Sequence, residues 1–323
     1  MIARLPRFAR GAGLAVVTVV LVTTLASMSI ALLPGDPACA ILGPKNATPA
    51  GISAVRHELG LDEPLPERYL RWAGKAVRGD LGTSYVTHES VSGQIADRLP
   101  VTFELMVLSQ LIALALAIPL AMIAAARAGR AIDHAVSAAG LALLSVPNFV
   151  VGVALIAIVA VQLGWLPATG FVPFGDDPLE NLRTMLLPSI SLAAGSIGVY
   201  QRVLRRDLVA TLGEDFVTLA RAKGLAPRLV FVRHALRPSS LSLITITGLN
   251  VAGLMGGAVV IETLFALPGL GRLLVDAISA RDYVMVQGLT VFIAVTYLLI
   301  NALVDVAYGL IDPRTRRRGV QTA

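Results

Sequence analysis

Six stretches of the chain are apolar for long enough to cross a bilayer. They cover 11–33, 101–126, 135–163, 186–204, 241–265 and 284–311, the fourth being short and weakly hydrophobic. A helix needs about 20 apolar residues to span the hydrocarbon core. The pattern predicts an all-α integral membrane protein of six transmembrane helices. Polar positions gather into a long segment at 34–100 and a shorter one at 202–238, with a tail at 312–323 and a five-helix core over 101–311.

Basic residues then orient the spans. With the N-terminus in the cytoplasm, the inner segments hold Arg4, Arg7 and Arg10; Arg127 and Arg130; Arg202, Arg205, Arg206, Arg221, Lys223, Arg228, Arg233 and Arg237; and Arg314, Arg316, Arg317 and Arg318. The two short outer loops hold only Arg183, Arg272 and Arg281. This asymmetry is the insertion signal, and it puts both termini inside. The basic start would also suit a cleaved signal peptide, but the first apolar run exceeds the usual signal core, so an uncleaved first helix is expected.

Composition agrees: 55% of residues are hydrophobic, 15% charged, and the mean hydropathy is +0.75. Soluble domains carry about 25% charged residues. The net charge of +6 raises nucleic acid as a ligand. Because the basic residues flank helices on one side and form no stripe, that class is excluded. The single cysteine, Cys39, allows no intrachain disulfide, and Asp36-Pro37-Ala38 before it is not a lipoprotein attachment box. The four histidines, His57, His88, His134 and His234, never fall at metal-ligating helical spacing, so no metal site is expected.

The outer segment is nearly neutral. Thr48 or Ser53 is placed to cap a helix running through Leu59 and ended by Gly60, and Tyr69, Leu70, Trp72, Ala73 and Val77 give a second helix a partly apolar face. A small folded cap follows, which either covers helix ends or meets a substrate-delivery partner.

The segment 202–238 is built as a docking surface. Thr211-Leu212-Gly213-Glu214 has capping-box spacing. Glu214 and Asp215 at one end of the following helix, and Arg221 and Lys223 at the other, suit its dipole. Gly224 stands where a left-handed cap residue belongs. Pro227 starts a second helix that is expected to end before Pro238. Phe216, Leu219, Ala220 and Ala222 make the first helix amphipathic. The small residues Ala220, Ala222 and Gly224 favour close approach of a protein, since a helix lying in lipid presents bulky anchors.

Residues 218–224, Thr-Leu-Ala-Arg-Ala-Lys-Gly, followed by His234-Ala235-Leu236-Arg237, resemble the EAA loop of ABC importer permeases. Gly224 and Leu236 fall in register, while Thr218, His234 and Arg237 replace the pattern's Glu, Ile and Pro. The likeness extends over nearly the whole chain. It includes Leu33-Pro34-Gly35-Asp36-Pro37, Leu59-Gly60-Leu61-Asp62-Glu63-Pro64, Gly79-Asp80-Leu81-Gly82-Thr83-Ser84 and Arg98-Leu99-Pro100. It continues through Gly164-Trp165-Leu166-Pro167, Leu267-Pro268-Gly269-Leu270-Gly271, Arg281-Asp282-Tyr283 and Asp312-Pro313-Arg314. Together these are similar to the dipeptide, oligopeptide and nickel permease family of ABC importers, in its longer B-type subunit. The resemblance implies type I importer architecture in a bacterial cell membrane. It also implies a second related permease in a heterodimer, two ATPase subunits and an extracytoplasmic solute-binding protein. ATP and magnesium are then expected on the partner ATPase, and Asp215, Thr218, Leu219, Ala220, Ala222, Lys223 and Gly224 form the ATPase-coupling helix.

The chain carries no motor motif of its own: the Gly-Lys pair, Gly74-Lys75, lacks the upstream Gly and the following Ser or Thr of a P-loop. No catalytic or cofactor-binding set is expected. Ionisable residues within spans are functional candidates. Glu104 reads as an end-capping group, and Asp305 as a partner for an inner arginine. Glu262, close before Pro268, Gly269 and Gly271, has two readings, an outer gate or substrate-amine contact and a structural hydrogen bond. Gly248, Ala252 and Gly256 form a small-residue stripe that, with Ser189, Ala193 and Ser196 on the fourth span, lines either the pathway or a packed interface. Asn250 and Ser196 are the candidate pathway residues. A secondary transporter would show inverted repeats and paired broken helices, and a membrane enzyme a catalytic constellation within the spans. The sequence presents neither.

Overall fold

The computed structural model describes residues 13, 16–25, 27, 28, 48–58, 62 and 64–311. Cys39, Arg4, Arg7, Arg10, Gly60, the motif at 33–37 and the tail at 312–323 lie outside these, as does the side chain of Asp305. The described residues are helical almost throughout. We number the helices α1 (Val16–Leu25), α2 (Pro49–Glu58), α3 (Leu65–Ala76), α4 (Val91–Ala126), α5 (Ala131–Ser145), α6 (Asn148–Leu155), α7 (Pro178–Leu212), α8 (Asp215–Ala222), α9 (Pro227–Leu229), α10 (Arg237–Leu264), α11 (Leu270–Ser279) and α12 (Tyr283–Ile311). Among the described residues, four helical stretches are long and apolar enough to cross a membrane: Val91–Ala126, Pro178–Leu212, Val230–Leu264 and Tyr283–Val304. The pair Ala131–Ser145 and Asn148–Gln162 passes as a fifth if taken together.

That pair corrects the expectation of one straight span over 135–163. The two helices meet at an angle of 101°. Val146, ahead of Pro147, is extended, with φ −92° and ψ 125°. A proline ring disfavours helical backbone in the residue before it, and its missing N–H breaks the ladder. α6 then widens into π-helical turns over Ile156–Gln162.

The chain divides into two compact units. Of the described residues, one holds those within 102–267 and 300–311, the other those up to 101 and within 268–299. In the first, α7 is the central helix. Buried residues make up 67% of its most apolar window, against 22–28% for the other three long helices. This accounts for its weak hydropathy: a helix surrounded by protein can carry Ser189, Ser191, Ser196 and Gln201 inward, all of them buried. Its start is fixed by Asp177, whose carboxylate accepts the N–H groups of Leu179 and Glu180 at 3.0 and 3.1 Å, with Pro178 in the first turn. α5 runs antiparallel to α7, and at their crossing a Cβ on Gly198 would collide with the carbonyl oxygen of Gly140. Such contact between backbones is open only to glycine. The expected stripe on α10 serves no single interface. Gly248 packs on Val304, Ala252 is buried, and a Cβ at Gly256 would meet nothing within 4 Å.

In the second unit Thr48 caps α2, its hydroxyl accepting the Gly51 N–H at 3.2 Å, and Tyr69 of α3 bonds Thr23 at 2.6 Å. Leu70 and Val77, expected on the apolar face of α3, point outward at 68% and 89% exposure. Tyr69, Trp72 and Ala73 form the half-buried side instead. Val91, Ile95, Leu270, Leu273, Met285 and Leu289 build the core of this unit. The motifs at 79–84 and 281–283 meet beside it. The Ser84 hydroxyl donates to the buried Asp282 carboxylate and accepts the Val86 and Thr87 N–H groups. Asp282 in turn caps α12 through the Met285 N–H at 3.2 Å. Gly82, with φ +99°, lies so close to Val284 that a side chain would not fit.

Candidate functional site

α7 ends at Leu212, the chain turns through Gly213, and α8 projects from it as a short separate helix. The expected capping box does not form. Thr211 is still inside α7, where its hydroxyl meets that of Ser239 at 3.0 Å, and Glu214 is itself the cap residue of α8, without a side-chain bond. The tetrapeptide has the right letters, but an upstream helix that continues to Leu212 leaves Thr211 no cap to make.

The other end of α8 folds as the sequence predicts. Gly224 has φ +76° and its N–H bonds the Arg221 carbonyl at 3.0 Å. The Leu225 N–H returns to the Ala220 carbonyl at 3.4 Å. This is a complete Schellman cap. Its accompanying apolar contact is present: Leu225, like Leu212, packs against the cluster of Val217, Ala220 and Val230. The burial corrects one detail of the docking surface. Ala220 is 5% exposed and faces inward with Val217. Phe216 and Leu219, 47% and 56% exposed, point out beside Asp215, Thr218, Ala222, Lys223 and Gly224. The outward face is therefore bulkier than the small-residue pattern suggests.

Beyond Gly224 the helix that begins at Pro227 does not stop before Pro238. It passes through π-helical turns at Val230–Leu236 and straight into α10. The π stretch ends as Pro238 enters, so the residue without an N–H falls where the hydrogen-bond register changes and the helix survives it.

Two side-chain groups knit the first unit together. Asp133, 1% exposed at the start of α5, is gripped by the Nε and Nη2 of Arg205 on α7 and also accepts the Gly129 N–H at 2.8 Å. Deeper, Asn250 donates to Ser196 at 2.7 Å and to Tyr200 at 3.0 Å, while Tyr200 donates to Gln110 at 2.9 Å. Gln110 reaches the Thr247 carbonyl at 3.3 Å. Ser196 and Asn250, the candidate pathway residues, thus belong to a network joining α4, α7 and α10. Asp133, Arg205, Gln110 and Tyr200 were not singled out from the sequence. Asp133 falls two residues outside the span drawn at 135–163, and Arg205 is visible only as one inner charge among many.

Of the gate candidates, Glu262 is fully buried and accepts the Thr102 hydroxyl at 2.7 Å. Its backbone carbonyl receives the Leu267 N–H at 2.9 Å, closing a helix cap whose left-handed residue is Ala266, φ +55°. In the other unit, extended Gly269 starts α11, and Gly271 is buried in its first turn. Pro268 precedes them. Glu104 is half-buried, with one carboxylate oxygen enclosed and unbonded.

Several long apolar helices, one of them rich in small residues and largely buried, make this a multi-pass membrane protein. The chain belongs to the family of binding-protein-dependent transport system inner membrane components. The family model matches residues 117–317, and the model of its N-terminal region matches 5–106. It is similar to a putative peptide transport system permease protein of Brucella abortus, 39% identical over 94% of this chain and 96% of the relative. A probable peptide ABC transporter permease protein of Sinorhizobium fredii is 39% identical over 88% and 91%. A di/tripeptide transport system permease protein of Pseudomonas aeruginosa is 38% identical over 96% and 98%. The chain is thus an inner-membrane transport permease subunit.

Proposed function

We propose that this chain is one permease subunit of an ATP-driven importer of di- or oligopeptides. In this reading it crosses the membrane six times with both termini cytoplasmic: a first span at 11–33, α4, the bent α5–α6 pair, α7, α10 and α12. It lines half the translocation pathway with a second, related permease. A solute-binding protein delivers peptide from outside, and two ATPase subunits carry ATP and magnesium and do the hydrolysis. The peptide cargo is supported by the names of the relatives. A nickel complex or other small solute is the alternative within the family.

The observation that carries the reading is α8, whose inner face is packed and capped while Phe216, Leu219, Ala222, Lys223 and Gly224 stand exposed. A helix closed on one side and presenting exposed Phe216 and Leu219 among polar residues on the other is built to seat in a groove of another protein, here the ATPase. Glu262 and the chain through Pro268, Gly269 and Gly271 serve as the outer gate, and Ser196 and Asn250 border the path.

Affinity purification in mild detergent tests this. Wild type is expected to retain an ATPase and a second permease. Leu219→Asp, at an exposed site, and Gly224→Arg are expected to lose the ATPase and keep the permease. Unchanged ATPase recovery with Leu219→Asp would remove the coupling role of α8.

A further inference from the structure

One cavity in the first unit has no part in the reading above. It is a groove of about 250 Å³ lined by Leu120, Ala135, Val136, Ala139, Gly140, Leu143, Ile197 and Gln201. Its walls are apolar apart from Gln201, which is 2% exposed and whose Nε2 has no hydrogen-bond partner. A buried amide donor left unbonded in an apolar setting is costly, so something that fills this groove should also offer an acceptor. The surface of α5 beside it is apolar and open, with Ile132, Leu141 and Leu144 at 37–49% exposure.

The groove has a charged end. Ala135 lies five residues from Arg130, about 7 Å along a helix, and Gln201 lies four residues, about 6 Å, from Arg205. Arg205 is committed to Asp133, but Arg127, Arg130 and Arg202 are exposed and form no ion pair among the described residues. An apolar slot, then a single donor, then exposed cations, Arg202 beside the donor and Arg127 and Arg130 ahead of the start of α5, matches the order of groups along a phospholipid: acyl chain, ester carbonyl, phosphate.

We propose that this groove binds one anionic phospholipid of the inner leaflet, its acyl chain between α4, α5 and α7, its ester carbonyl accepting from Gln201, and its phosphate held by Arg127, Arg130 and Arg202. The lipid fills a gap against the helix that carries α8 and completes the packing of the α5–α7 pair. The site rests on the orientation proposed above only for the choice of leaflet.

Native mass spectrometry of the purified permease complex, delipidated and titrated with phosphatidylglycerol or phosphatidylcholine, tests it. One phosphatidylglycerol is expected to bind at least tenfold more tightly than the remainder. Ala139→Phe, which fills the groove from an exposed position, abolishes that tight site. Gln201→Met weakens it several-fold, and Arg127→Gln with Arg130→Gln removes the preference for phosphatidylglycerol over phosphatidylcholine. The same tight site in Ala139→Phe overturns the proposal. So does efficient cross-linking of Ala139→Cys, in a Cys39→Ser background, to the second permease, because protein then fills the groove. Labelling of Arg130→Cys in intact cells by a membrane-impermeant thiol reagent would refute the orientation alone and leave the groove to be judged by its lipid.

Discussion

The pair Asp133–Arg205 allows a sharp prediction, because its two members are buried unequally. The Asp133 side chain is 1% exposed and that of Arg205 29%. Replacing Arg205 with Met keeps an unbranched stem as far as the Nε position but removes the guanidinium, and strands a buried carboxylate with the Gly129 N–H as its remaining strong donor. Breaking a buried pair in this way costs about 3–5 kcal/mol. Asp133→Asn is milder. It keeps the shape and an acceptor oxygen, and the guanidinium left behind can turn toward solvent or headgroups, so about 1–2 kcal/mol is expected. Replacing both, Asp133→Leu with Arg205→Met, removes the uncompensated charge and should recover most of the loss. At about 2 °C per kcal/mol for a chain of this size, thermal unfolding in detergent should fall by about 6–10 °C for Arg205→Met and about 2–4 °C for Asp133→Asn. The double variant should lie nearer wild type than Arg205→Met does. The reasoning fails if Asp133→Asn is the more damaging single change, or if the double variant is no better than Arg205→Met.

Ala266 occupies a left-handed cap position that glycine fills without strain, so Ala266→Gly should raise stability by about 1 kcal/mol, seen as a higher unfolding temperature, while Ala266→Val lowers it. Ser84→Ala leaves Asp282 without its hydroxyl donor and two loop N–H groups without their acceptor. A loss of about 1–3 kcal/mol is expected, with faster hydrogen exchange at 84–90. Gly198→Leu drives a side chain into the Gly140 carbonyl and should cost about 3 kcal/mol or more, read as loss of folded protein on size exclusion. Glu262→Gln keeps an acceptor for Thr102, so its stability should stay within about 1 kcal/mol of wild type. Peptide uptake by that variant then reports on the charge alone, and unchanged uptake would discard the carboxylate as a gating group.

The four long spans and the bent pair were legible because a bilayer selects for long apolar runs, and even the weak fourth span carried information. Its low hydropathy marks the long helix most buried within the protein. The bend at Val146-Pro147 was hidden for the same reason. Both arms are apolar, so hydropathy passes through the corner without a signal, although the pre-proline rule points to it. Gly224 could be read because a left-handed residue after a helix is a local demand. Thr211-Leu212-Gly213-Glu214 misled because a cap motif states a capacity, and whether it is used depends on where the upstream helix ends. The exposed face of α8 was half legible: amphipathicity was evident, but which side packs depends on Val230 and Leu225, residues beyond the helix itself.

The polar pairs were the least legible, since each joins positions far apart: Ser84 with Asp282, Thr102 with Glu262, Asp133 with Arg205, Gln110 with Tyr200. A polar residue in an apolar run announces that it needs a partner and does not say which. Topology narrows the choice. Successive spans joined by a short loop are antiparallel, so each step forward along one is matched by a step back along the next. Asp133 meets Arg205, and seven residues on, Gly140 meets Gly198, seven residues back. Past the bend the match slips, and Asn148 reaches the Leu192 carbonyl at 3.4 Å, eight residues forward against six back. That slip is the 101° corner expressed as register. Once α5 and α7 are known to be antiparallel neighbours, the crossing at Gly140 and Gly198 fixes the depth at which Asp133 must find a cation, and Arg205 is the one that stands there.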